Sequence, residues 1–190
     1  MKSSASQSFI ALASFREGYV PWVPPASYGM YSVVNAVIEL FPELSRESAT
    51  LLMADLVAAI GLDCCKPSGV ATTEEVAFMM KFAATWLSNI GLGNVVSRSF
   101  RDGEPGTLRS TWSLNPVRSA LSGKRGVAVF KIATPWLHWT AATCSGNGRI
   151  KFIDPVHNEL DKVSLQGLGV TAAGRRQNQD VSSILTLLRT

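Results

Sequence analysis

With 190 residues, 46% of them hydrophobic and 17% charged, the chain is long enough to bury one well-packed core and too short for two generous domains. The net charge of +4 and the pI near 9.1 are mildly basic. The lysines and arginines are scattered, neither gathered into a run nor interleaved with aromatics, so there is no strong nucleic-acid signal, and no apolar stretch is long enough to span a membrane.

Three cysteines, Cys64, Cys65 and Cys144, share no metal-ligand spacing with the two histidines, His138 and His157. Their odd number argues against a disulfide framework, so a reducing, cytoplasmic setting with no metal and no cofactor is expected. The amino end up to Arg16 has a short apolar run broken by serines, which reads as a strand or short helix with a loose tip and not as a signal peptide.

From Gly18 to Ser27, Pro21, Pro24 and Pro25 deny helical continuity and predict an extended surface loop. A helix follows from near Gly29, with Met30, Val33, Val34, Val37, Ile38 and Phe41 at helical spacing and Pro42 ending it. A second runs from Ser45 as cap to Ile60, with Leu51, Leu52, Leu56 and Ile60 inward and Gly61 at its carboxyl end. In a third, Thr72 and Glu75 have capping-box spacing, Val76, Met79, Phe82, Ala83, Trp86, Leu87 and Ile90 form the apolar face, and Gly91 stops it.

Beyond Gly93 the units shorten. Asn94 to Arg98 reads as a strand, Arg101 to Thr107 as a polar loop and Asn115 to Leu121 as a short helix. Gly126 to Ile132 is a buried β run, and His138 to Cys144 pairs with Gly148 to Ile153 across Ser145-Gly146-Asn147-Gly148. A last strand, or less favourably a helix, covers Val181 to Leu188 after a loop from Gly167 to Gln179. Helices first and an antiparallel sheet afterwards predict a single α+β domain.

His138 heads one predicted strand and Asp154 closes the next. An imidazole works as a general base when a neighbouring acid fixes its tautomer through the second ring nitrogen, and this pair has the spacing for it. The plainer reading makes His138 a polar strand residue and Asp154 a turn former before Pro155. Cys64 and Cys65 follow a helix cap and read as partly buried small residues, while six strand residues put Cys144 roughly 20 Å from His138. His157 reads as a loop residue, able to exchange roles with Asn158 at a site edge. Trp86 reads as core, whereas Trp22, Trp136 and Trp139 border the implied cleft, where aromatic walls suit an extended peptide as well as they suit packing.

The order of a helix beginning Gly29-Met30-Tyr31-Ser32-Val33-Val34-Asn35-Ala36, a helix introduced by Ala71-Thr72-Thr73-Glu74-Glu75, a strand, His138-Trp139, a turn and Asp154-Pro155 resembles the papain-like cysteine peptidases. The nearest likeness is to the bacteriocin-processing type and its bacterial relatives, over about Trp22 to Asp154. The resemblance implies one papain-like domain over 1–190, a helical half (about 18–92) packed on an antiparallel sheet half (about 93–190). It also implies a nucleophilic cysteine at the amino end of the first helix, directly before a glycine, where the helix dipole and the histidine stabilise a thiolate. That position is Tyr28 here, and Ser27 is the nearest hydroxyl. The oxyanion-binding glutamine of the family also has no counterpart in Tyr19 to Pro25.

Three functions follow. The first is a catalytically impaired peptidase-like domain whose cleft binds a peptide or protein partner. The second is an active cysteine peptidase or acyltransferase of bacterial effector or toxin type, its nucleophile substituted in this chain, with His138 as general base and Asp154 as orienting acid. The third is a scaffold in which the pair is structural.

Overall fold

The computed structural model describes Phe15, Val23 and residues 27–61, 71–100, 126–132, 138–144, 150–153 and 181–190. Among these residues three helices, α1 (Tyr28–Leu40), α2 (Arg46–Ile60) and α3 (Thr73–Asn89), precede five strands, β1 (Val95–Phe100), β2 (Gly126–Ile132), β3 (His138–Cys144), β4 (Ile150–Ile153) and β5 (Val181–Arg189). The α+β expectation holds at this level. The predicted helix at Asn115 to Leu121, the loops from Arg101 and Gly167, and Cys64, Cys65 and His157 lie outside the described residues.

Local chemistry sets the helix boundaries. Ser45 accepts from the Ser48 amide at 3.1 Å to start α2, and Gly61 ends it at a φ of 79°, which a glycine adopts without strain. At α3 the Thr72 hydroxyl accepts from the Glu75 amide at 3.1 Å while the Glu75 carboxylate accepts from the Thr72 amide at 2.6 Å, the reciprocal capping box. α1 ends at Leu40, before Pro42.

The inward stripes differ from expectation at two positions. α2 buries Ala49, Leu52, Met53 and Leu56, a spacing of three and four, so Leu51 is rotated outward and is 55% exposed. Ile90 is 45% exposed because α3 ends one residue before it. Trp86 is core as expected, its indole N–H donating to Asp55 Oδ2 at 2.9 Å and joining α3 to α2.

The sheet is antiparallel throughout, with strand order β1-β5-β2-β3-β4, so the last strand enters between the first and second. α1 lies over β2 and β3, α3 over β1 and β5, and α2 packs on both helices. Val127, Val129, Trp139, Ala141, Ile153, Leu185 and Leu187 form the helix-facing side of the core. Alternating with them, Ala128, Phe130, Thr140, Ala142, Thr186 and Leu188 are buried on the opposite face. Both faces are therefore shielded from solvent, which explains why β2 reads as a continuous apolar run.

α1 is buried along almost its whole circumference, Tyr28 and Glu39 being the half-buried exceptions. A helix in that position must satisfy its polar side chains internally. Asn35 does so by gripping the Phe15 peptide from both sides, accepting from its amide at 2.6 Å and donating to its carbonyl at 2.9 Å.

Thr72→Ala removes one half of the α3 capping box. The expected loss is about 1 kcal/mol, a drop in Tm of roughly 2–4 °C for a domain of this size, checked by thermal unfolding followed by circular dichroism; an unchanged Tm would show that the cap contributes nothing.

Candidate functional site

The amino end of α1, the amino end of α3 and the head of β3 meet at one point. Gly29, the second residue of α1, has no room for a side chain: a Cβ there would lie 2.9 Å from Val76 Cγ2, 3.0 Å from Ala71 Cβ and 3.5 Å from Trp139 Cδ1. Glycine is thus required by close approach, since the helical backbone at that residue suits any side chain. Trp139 fills the junction with no exposed surface and donates its indole N–H to the Ala71 carbonyl at 2.8 Å. From the other side Ser32 Oγ, in the second turn of α1, donates to the Trp139 carbonyl at 2.9 Å.

The head of β3 reaches this junction in register with β2. Among the described residues, the β3–β4 ladder runs from Ala141↔Ile153 to Cys144↔Ile150, and His138 to Thr140 pair with Ile132 to Phe130 of β2. The β2–β5 register shifts between Lys131 and Ile132, and Ile132 is the residue opposite His138. The β2–β3 register itself runs unbroken from Val127↔Thr143 to Ile132↔His138. Lys131 Nζ stands 5.7 Å from the Trp139 ring centroid, placing a cation over the same indole.

The structure locates the sequence candidates as follows. His138 is the first residue of β3, adjacent to Trp139. Ser27 is the N-cap residue of α1 and 3% exposed, and Tyr28 is the first helical residue, half-buried and packed against the core. Trp139, read from sequence as a cleft wall or as packing, is wholly enclosed and joins the helix starts to β3. Asp154, Trp22 and Trp136 lie outside the described residues. The backbone leading to Asp154 is tied to β3, because Thr140 Oγ1 approaches the Ile153 carbonyl at 3.3 Å and the Ala141 carbonyl at 3.4 Å. Ser32 and Thr140 were not singled out from sequence; the available signal for Ser32 was a hydroxyl among apolar residues in a helix apolar on nearly every side.

Among the described residues no group of three histidine, cysteine or acidic side chains is placed to hold a metal ion, and no helix is long and apolar enough to cross a membrane. An open depression of about 460 Å³ runs along α2 past Arg46, Glu47, Thr50, Leu51 and Ala54, none of them a candidate. There the Glu47 carboxyl is held below its ordinary range by a backbone hydrogen bond and then by the Ser45 hydroxyl. No protein-family model, curated protein or solved structure matches this chain.

Gly29→Ala gives this junction a test by sign. In an open helix the change stabilises by about 1 kcal/mol, whereas here the added methyl must displace Ala71 and Val76, so a loss of roughly 1–3 kcal/mol is expected. Urea unfolding measures it; a gain in stability would show that the three elements do not meet as described.

Proposed function

We propose that this chain is a papain-like domain that has lost turnover and uses its cleft to bind an extended peptide or a protein segment. The observation that carries the reading is the junction of α1 with β3: the helix start where such a peptidase keeps its nucleophile is joined through Gly29 and Ser32 to the residue beside His138. In this reading His138 and Asp154 are the polar edge of the cleft, and Trp22 and Trp136 its aromatic walls. Trp139, being buried, supports the cleft from beneath.

The impaired version is favoured over an active one by what occupies the nucleophile position. A phenol is bulky and a poor acyl carrier, and the Tyr28 side chain packs against the core. Ser27 is 3% exposed, which leaves little surface for attack on a peptide carbonyl. The alternative, an effector-type peptidase or acyltransferase whose nucleophile is substituted here, requires that restoring a thiol restores chemistry.

An electrophilic peptide probe is expected to leave the natural chain unlabelled, while Trp136→Ala weakens binding to a peptide array by roughly thirtyfold, the loss of about 2 kcal/mol typical of a buried aromatic anchor. A covalent adduct on Ser27 would overturn the impaired reading. His138-dependent peptide cleavage by Ser27→Cys or Tyr28→Cys would establish the peptidase architecture, and failure of both variants would remove the enzyme alternative.

A further inference from the structure

Lys131 reaches the junction from the sheet. It stands directly opposite Trp139 in the unbroken β2–β3 register, so both side chains project from the helix-facing side of the sheet, the side that Val127 and Val129 share. Its Nζ lies 5.7 Å from the Trp139 ring centroid, and the residue is half-buried. An ammonium drawn partly out of water loses hydration that the face of an indole replaces only in part, whereas a carboxylate restores the balance through charge-assisted hydrogen bonds.

None of the described residues supplies that carboxylate. Arg189 and Glu43 pair with each other at 3.3 Å, at the opposite end of β5 from the residues that flank Lys131. Of the two acids in the first turn of α3, Glu75 is committed to the Thr72 amide and Glu74 is exposed, and neither forms an ion pair with Lys131. The first turn of α1, which meets the Trp139 ring at Gly29, contains no acid at all. Positive charge therefore gathers around Trp139 without a counter-charge from the elements packed there.

We propose that Lys131 selects the charge of what the cleft binds: its ammonium, held over the Trp139 ring, takes an acidic side chain of the bound segment. A segment running through a cleft presents side chains there and not its own end, which favours a glutamate or aspartate over a terminal carboxylate. The inference rests on the functional reading above and deepens it by naming the ligand chemistry, an acidic extended peptide.

The test uses the full chain and an array of amidated decapeptides in which every glutamate-bearing peptide has a glutamine twin of otherwise identical sequence. Among pairs that bind, some glutamate members are expected to bind roughly tenfold tighter than their twins, the worth of one hydrogen bond to a charged group, with the margin shrinking as salt is raised. Lys131→Met, which keeps an apolar stem over the indole and removes the charge, is expected to erase that preference, and Lys131→Arg to retain it. Circular dichroism confirms folding, and Lys131→Gln serves if Lys131→Met does not fold. If no peptide binds the natural chain, the functional reading falls and the inference with it. If peptides bind with no preference for the acid, or the preference survives Lys131→Met, the reading stands and the role of Lys131 is overturned.

Discussion

The burial of Trp139 between the starts of α1 and α3 is the constraint on which the arrangement depends. An indole removes about 200 Å² from water, worth roughly 5 kcal/mol before the cost of ordering is counted. Its one hydrogen bond, to Ala71, is worth about 1 kcal/mol by comparison. The ring therefore decides that the elements meet, and the polar contacts decide how. Ala71 fixes the ring's azimuth, Ser32 fixes the strand behind it, and Gly29 lets the helix come close enough for both.

The proposed binding role rests on the same junction. Two helix starts bring the positive ends of their dipoles towards one place, and the strand that meets them there carries a histidine at its first residue. Next to Trp139, the Thr140 hydroxyl approaches the Ile153 carbonyl, which precedes Asp154. On the proposed reading, Tyr28 in place of a thiol favours holding a ligand over acylating it.

How much of this could be read from the residues varies with how local the cause is. The ends of α2 and α3 were legible because Ser45, Thr72, Glu75 and Gly61 act within one turn of themselves. The β3–β4 pairing was legible for a similar reason, its two runs being separated by a short glycine-containing segment. Whether Leu51 or Leu52 turns inward was not, since adjacent residues differ by one helical step and only the neighbour across the interface chooses. Nor was the insertion of β5 between β1 and β2, which depends on pairing between residues 49 to 94 positions apart in sequence. Of the candidate site, Gly29 before an apolar helix and His138 at a strand head were visible as positions. That Trp139 is a buried wedge was not, because an aromatic beside a histidine has the same sequence signature whether it lines a cleft or fills a core.

Nuclear Overhauser contacts from the Trp139 ring measure the central proximity directly. Contacts are predicted from the indole protons to Gly29 at the start of α1 and to Ala71 before α3. An indole with no contact to either helix start, its N–H exchanging freely with solvent, would contradict this arrangement.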